Sequence, residues 1–386
     1  MSRTPFSFYE FFAGGGMARA GLGPDWTCRL ANDLDPAKAA SYRANWGDGD
    51  LVEANVWDLA PVDFPGTADL VWASSPCQDL SLAGARAGLS GQRSSAFWGF
   101  WRLIEALDDQ GRAPSVIVIE NVVGLLTSRG GQDFTAICEA LASRNYRFGA
   151  LEINAAHFVP QSRPRLFLIA AQSEAVASAG PGPWHGASAR LAAERLPEAL
   201  KSSWRWWHLP QPPAREQDLA DLLEPDEQVA WHSAAQTEAL LDLMAPLHRR
   251  RLDQAVAQAR AGGLRQVGAL FRRTRQEQGR SQQRAEVRFD GQAGCLRTAR
   301  GGSSRQTVVV IDPALGEAGV RTRLMTPREG ARLMGLGDDY VLPKGAAAAL
   351  TLVGDGVAVP VVAFLEQHLL RQLVQACQSA RQAPQA

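Results

Sequence analysis

Short apolar runs alternate with amphipathic stretches through the first part of the chain, the pattern of strands that feed into helices. Residues 6–12 read as a strand, a glycine turn follows, and a helix begins at Met17. Residues 27–30 form a second strand and 36–45 a helix; 70–73, 116–119 and 166–170 are further strands. Such alternation predicts an α/β fold built on a doubly wound, mostly parallel sheet. The pattern changes after Gln172. Residues 175–183 are small and contain Gly and Pro, as linkers do. The stretch up to Leu342 is less regular, with prolines at 210–213, a helical stretch over 234–262 and an arginine-rich run. The last segment, 353–377, begins Gly-Asp-Gly and continues as a long helix. Two domains are expected: 1–172 completed by a C-terminal helix over 351–386, and a smaller one over 173–350.

Composition adds limits. The chain has 386 residues, 46% of them hydrophobic, enough to build full cores without disulfides. We read no apolar run near the ~18 residues that cross a bilayer and no signal-peptide architecture, and expect a soluble cytoplasmic protein. Five cysteines are scattered without CxxC or Cys/His clusters, so no structural metal is expected. Formal net charge is zero, but the charge is uneven. Between Arg249 and Arg305 there are 14 arginines, no lysines and only Asp253, Glu277, Glu286 and Asp290 as acids. That surplus suits a polyanionic partner, or the solvated face of a helix over Arg249 to Arg260.

Four clusters carry candidate chemistry. Phe12-Ala13-Gly14-Gly15-Gly16-Met17 lies between a strand and a helix, where glycines let the backbone approach a ligand at a helix N-terminus. The third glycine of a dinucleotide fingerprint is missing, because Arg19 stands there. Asp33, nineteen residues after Gly14, is placed to bond ribose hydroxyls. A nucleoside pocket without a pyrophosphate clamp results; an ordinary strand–helix turn is the plain alternative. Cys77, in Ser74-Ser75-Pro76-Cys77-Gln78, follows a strand whose C-terminal end is where open α/β sheets bind ligands. Polar neighbours set it apart from a buried structural cysteine. Glu120, in Glu120-Asn121-Val122, ends the next strand and points into the same crevice, unless it only caps a helix. Gln161, Arg163 and Arg165 alternate along an extended segment and share one side, as a binding edge or a solvated basic loop.

In this order the motifs resemble the DNA (cytosine-5)-methyltransferase family of bacterial or phage type: Phe-x-Gly-x-Gly, Asn-Asp-x-Asp, Pro-Cys-Gln, Glu-Asn-Val and Gln-x-Arg-x-Arg. Residues 324–335, Leu-Met-Thr-Pro-Arg-Glu-Gly-Ala-Arg-Leu-Met-Gly, look like its Thr-Pro-Arg-Glu segment, and 354–360 like its last Gly-Asn-x-Val motif. The resemblance covers roughly 5–172 and 290–370. It implies the S-adenosylmethionine-dependent methyltransferase fold with a smaller, irregular DNA-recognition domain, the cofactor S-adenosyl-L-methionine, and duplex DNA as partner. It further implies that Cys77 attacks C6 of a flipped-out cytosine, that Glu120 binds N3, that Arg165 holds O2 and that Arg163 orients Glu120. On the cofactor side, Phe12 with Ala13, Gly14, Gly15 and Gly16 would frame the methionine part. Asp33 would bind the ribose, Leu34 cover the adenine and Asn55 bond its amino group. Pro76 would approach from the catalytic loop. Leu80 to Ser95, with Gly84, Gly88, Gly91 and Arg93, would close over the base.

The chain departs from the family pattern at Met17, Asp33, Leu34, Ser75 and Asp355. The last of these places an acid near the cofactor's amino-acid end, and none removes a catalytic group. Residues 173–293 would read the DNA sequence, with 297–305 supporting them. Trp204, Trp206 and Trp207 form either a small-domain core, the preferred reading, or a base-stacking patch. A restriction-modification system with a cognate endonuclease, nucleoid association and a monomeric state are further expectations. One branch of the family acts on transfer RNA; an inactive DNA-binding relative is the other alternative.

Overall fold

The computed structural model describes residues 6–76, 95–212, 214–277, 279–298 and 305–382. Two compact units emerge: residues 1–154, 164–212 and 356–386 in the first, 155–163 and 213–355 in the second.

The first unit is built on a seven-stranded sheet. Its strands are β1 (Phe6–Phe11), β2 (Trp26–Asp33), β3 (Leu51–Glu53), β4 (Leu70–Ala73), β5 (Val116–Asn121), β6 (Arg147–Asn154) and β7 (Pro164–Ala171), in the order β3-β2-β1-β4-β5-β7-β6. Neighbours from β3 to β5 pair in parallel; β7 runs antiparallel to both β5 and β6. Every residue of β1, β4 and β5 is buried, which explains their unbroken apolar runs: a sheet covered on both faces has no use for alternation. The helices are α1 (Met17–Leu22), α2 (Pro36–Trp46), α3 (Ser95–Asp109), α4 (Gln132–Ser143), α5 (Ala187–Arg195) and the short α6 (Glu198–Lys201). Asp35 caps α2 by accepting from the backbone N–H of Ala37 at 2.9 Å, with Pro36 in its first turn.

The doubly wound, mostly parallel sheet is as expected, and the division between the regions falls elsewhere. Residues 173–212, expected in the smaller domain, cluster with the first unit. There the backbone of Ser203 and Arg205 hydrogen-bonds Phe148 on β6, extending the sheet edge. Two short strands, β8 (Ala177–Ser178) and β9 (Trp206–Trp207), pair beside it. Trp207 is 1% exposed and donates its indole N–H to the Ile169 carbonyl at 3.0 Å. Trp204 also joins this core, so the tryptophans are core residues of the larger unit.

The second unit is not irregular. It holds a four-stranded antiparallel sheet in the order β11-β10-β12-β13, comprising β10 (Gln266–Glu277), β11 (Arg280–Arg288), β12 (Thr307–Ile311) and β13 (Val320–Leu324). The helical stretch over 234–262 is two helices, α7 (Ala234–Leu241) and α8 (Pro246–Gly262). Leu252, Ala255 and Ala259 of α8 pack on Leu270, Val287 and Val309 of the sheet, while Arg249, Arg250, Arg251 and Arg260 are exposed. That stripe is the solvated helical face. Helices α9 (Pro327–Arg332) and α10 (Ala346–Asp355) follow, and α11 (Val359–Leu365) and α12 (Arg371–Gln382) return to the first unit. By length and composition alone, residues 346–382 contain a window apolar enough to cross a membrane, contrary to the sequence reading; 56% of that window is buried inside protein.

Two buried charges are informative. In the second unit Arg323 and Glu329 are 0% and 1% exposed at the side chain and pair at 2.5 Å. Glu329 also accepts from the backbone N–H of Thr326 and of Glu224, each at 2.9 Å, so the Thr-Pro-Arg-Glu segment is a buried capping box. Removing one member of a buried pair strands the other. Glu329→Ala is predicted to cost about 3–5 kcal/mol, read as a lower midpoint in urea denaturation.

In the first unit Glu10 on β1 is 1% exposed, and burial pushes its carboxyl up to about 8, against the pull of Arg19. The folded chain therefore keeps a proton that the unfolded chain releases above its ordinary 4.5. Stability present below that value is lost as pH rises towards about 8. Glu10→Gln should flatten this decline, as followed by denaturation midpoints between pH 5 and pH 9 on the order of one unit apart.

Candidate active site

The first unit gathers its polar side chains along one edge of the sheet. Pairing of Phe11 with Asn32 and Ala73, and of Ala73 with Ile119, brings the C-terminal ends of β1, β2, β4 and β5 level. Because β7 is reversed, its beginning reaches the same edge: Leu166 pairs with Asn121, which leaves Arg165 just beyond it.

At the end of β5, Glu120 is 6% exposed, and Arg165 places Nε 3.2 Å from its Oε1. A guanidinium of this kind holds a carboxyl group in a fixed orientation and adds positive charge beside it. At the end of β4, Ser75 is buried and Pro76 exposed. Asn121 donates from Nδ2 to the Ser75 hydroxyl at 3.2 Å, and accepts at Oδ1 from the Val122 N–H at 2.9 Å. This amide ties the two strand ends together. Sequence reading named Glu120 and passed over Asn121, although its place in Glu-Asn-Val was the available signal. Trp72 adds a further tie, donating its indole N–H to Ser74 at 3.0 Å. Cys77, covalently next to Pro76, lies outside the described residues, as does most of the expected closing loop 80–95.

The glycine turn behaves as a cradle. Phe12, Gly14 and Gly16 have φ of 56°, 58° and 78°, and a side chain at Gly16 would meet the Trp46 indole at 2.3 Å. Met17, one of the departures from the family pattern, is buried at 2% as the first residue of α1. The Asp33 carboxylate is 7% exposed and accepts from the backbone N–H of Gly14 at 2.7 Å and of Asp35 at 2.8 Å. Each of its oxygens has a second lone pair to offer a hydroxyl. Leu34 stands 62% exposed beside it, an apolar surface in want of a flat partner. Asn55 is exposed and accepts from the Trp57 N–H at 3.1 Å. An anchored acid, an exposed apolar side chain and a side-chain amide beside a tight glycine turn fit a nucleoside; no cationic cradle for a phosphate is among them.

The Gln-x-Arg-x-Arg segment is divided between the units, Arg165 in the first, Gln161 and Arg163 in the second. Gln161 is fully buried, donating to the Leu333 carbonyl at 2.8 Å and accepting from the Leu296 N–H at 3.1 Å. Arg163 is 1% exposed and donates to the carbonyls of Leu296 and Gly354, each at 2.9 Å. Arg165 thus meets Glu120 in the first unit, while Gln161 and Arg163 bond backbone groups of the second. Gly354 accepts this bond at a place where a Cβ would press on the Arg297 carbonyl carbon at 2.9 Å. Asp355 is exposed at the end of α10 in the same unit.

Comparison with known proteins agrees with this geometry. The sequence profile of the C-5 cytosine-specific DNA methylase family matches residues 6–371. The type II methyltransferase M.AluI of Cellulosimicrobium cellulans is 32% identical over 44% of this chain, a match spanning only 34% of that enzyme's length. The type II methyltransferase M.HpaII of Haemophilus parainfluenzae is 24% identical over 96% of this chain and 91% of its own. Among solved structures, the Entamoeba histolytica methyltransferase EhMeth superposes with a TM-score of 0.61 at 15% identity, covering 96% of this chain and 99% of its own. Spodoptera frugiperda DNMT2 gives 0.59 at 17%, covering 95% and 99%. These two likenesses establish a shared fold, and the match along nearly the full sequence establishes kinship: the chain belongs to the C-5 cytosine-specific DNA methylase family.

Proposed function

We propose that this chain is a DNA methyltransferase that modifies C5 of a cytosine in duplex DNA, with S-adenosyl-L-methionine as methyl donor. The observation that carries the reading is the Glu120–Arg165 pair at the sheet edge, on strands that end level with Pro76, the residue before Cys77.

C5 of cytosine is a poor nucleophile. Addition of the Cys77 thiolate to C6 breaks the C5–C6 double bond and moves its electrons toward C5 and N3. Glu120 would supply the hydrogen bond or proton at N3 that keeps this charge from accumulating. Arg165, already against Glu120, would hold O2 and lower the cost of the anionic state. Held by the glycine turn, S-adenosylmethionine would supply an electrophilic methyl carbon for C5 to attack, the carbon–sulfur bond breaking to leave a neutral thioether. Asp33 would hold its ribose hydroxyls, Leu34 and Phe12 its apolar faces, Asn55 its adenine; the turn of Ala13, Gly14, Gly15 and Gly16 would approach its methionine part. Loss of the C5 proton to solvent-borne base then restores the ring double bond and expels the thiolate of Cys77. Reaching a carbon inside a duplex requires that the nucleotide be flipped out, which favours a closing loop such as 80–95. Arg163, bonded to Leu296 and Gly354, acts in this reading as a positioning residue. Asp355 would lie toward the amino-acid end of the cofactor. Sequence selection falls to residues of the second unit, and a cognate endonuclease would make the enzyme half of a restriction-modification pair.

Tritium transfer from labelled cofactor to duplex DNA, set beside transfer to transfer RNA, tests the substrate class; incorporation confined to RNA would overturn it. Cys77→Ser is expected to lower transfer more than about a thousandfold while DNA binding persists. The wild type, and not this variant, should form a covalent complex with duplex carrying 5-fluorocytosine, where the fluorine cannot leave as the proton does. Asn121→Ala should release the end of β4 and lower kcat about ten- to a hundredfold with KM for the cofactor little changed, measured by steady-state kinetics.

A further inference from the structure

The second unit contains an element that the proposed chemistry leaves without a task. β12 pairs with β10 only from Gln266 to Leu270, yet β10 and β11 continue together to Glu277 and Arg280. From Arg272 and Gln283 outward this two-stranded ribbon stands in water on both faces: Arg272 to Gln276 and Arg280 to Gln283 are all exposed. Ala285, opposite Arg272 at its base, is buried in the core of the unit; beyond that pair burial contributes little to stability, and isolated two-stranded ribbons are marginal by themselves.

The two faces differ in chemistry. Residues directly opposite one another in an antiparallel pair share a face. One face carries Arg273, Arg275 and Arg284 with the acids Glu277 and Glu286. Here Arg275 pairs with Glu286 at 2.5 Å, Arg273 approaches the same carboxylate at 3.5 Å, and Arg284 donates from Nε to Glu277 at 2.9 Å. The other face carries Arg272, Thr274 and Gln276 opposite Ala285, Gln283 and Ser281, and no acid. Its side chains are a cation and neutral groups that both donate and accept.

We propose that this acid-free face enters the major groove of duplex DNA and reads base edges, so that Arg272, Thr274, Gln276, Ser281 and Gln283 determine which cytosines are methylated. The inference rests on the DNA methyltransferase reading above. A major groove about 12 Å wide admits a two-stranded ribbon, and its base edges are what Arg and Gln recognise in pairs: guanine N7 and O6, adenine N7 and N6. Arg272 to Gln276 spans about 13 Å at ~3.3 Å per residue, the rise of about four base-pair steps. The ion pairs on the reverse face stiffen the ribbon and hold its cations away from the bases. A duplex of RNA fits poorly, because its major groove is deep and too narrow for side chains to read.

The test uses the full chain and a pool of duplexes with randomised sequence, scored both for methylated sites by bisulfite sequencing and for sequences enriched by binding. Arg272→Ala, Gln283→Ala and the double variant Thr274→Ala/Gln276→Ala are compared with Gln282→Ala on the ion-paired face. The expected result is relaxed discrimination at one or two base pairs for each variant of the acid-free face. Wrong-base sites should gain about ten- to a hundredfold relative to the cognate site, with the Gln282→Ala preference unchanged. Methylation whose sequence preference is the same in all variants overturns the proposal and leaves the methyltransferase reading intact. Altered binding preference without any methyl transfer by the wild type would do the reverse. Preferential enrichment of RNA over duplex DNA in a mixed pool would overturn both.

Discussion

A sheet buried on both faces holds a polar side chain within its strands only at a cost, as at Glu10. In the first unit β1, β4 and β5 are buried along their whole length, so Asp33, Glu120 and the exposed Pro76 cluster at one edge, where the strands end. Every feature of the candidate site follows from that constraint. The parallel strands bring their C-terminal ends level, and the reversed β7 adds its beginning to the same edge. Were β7 parallel like its neighbour, Arg165 would lie at the far side of the sheet, away from Glu120.

The site is held by interactions that do no chemistry themselves. Asn121 joins the end of β5 to Ser75 at the end of β4, and Trp72 steadies Ser74. The backbone amides of Gly14 and Asp35 fix the Asp33 carboxylate before any ligand arrives. Such pre-arrangement reduces the ordering that binding or reaction would otherwise require. In the second unit the same logic serves support: the Thr-Pro-Arg-Glu segment is a buried ion pair and capping box, and Gln161 and Arg163 saturate backbone carbonyls and amides.

Much of the first unit was legible in the sequence. Its strands are apolar runs bounded by turns, and the residues at their ends stand in motifs whose order has few parallels outside one family. The short β3 and the edge strand β6 were not legible, since the first is only three residues and the second mixes Arg, Gly, Glu and Asn with its apolar positions. The boundary at 172 failed for a related reason. A Gly- and Pro-containing stretch looks like a linker, but the backbone pairing of Ser203 and Arg205 with Phe148 depends on residues over fifty positions away.

By itself, then, the sequence determined the parallel sheet of the first unit, the glycine turn with its acid partner, and the family to which Cys77, Glu120 and Arg165 belong. Those features depend on local patterns: apolar continuity, a turn that needs glycine, and fixed short spacings. Only the tertiary structure decided that Arg165 faces Glu120 while Arg163 is committed to Leu296 and Gly354, and that the arginine-rich run is a helix and a long ribbon. A polar ribbon has no apolar alternation to announce it; its form depends on strand pairing, and its two faces on which arginines find an acid across the pair.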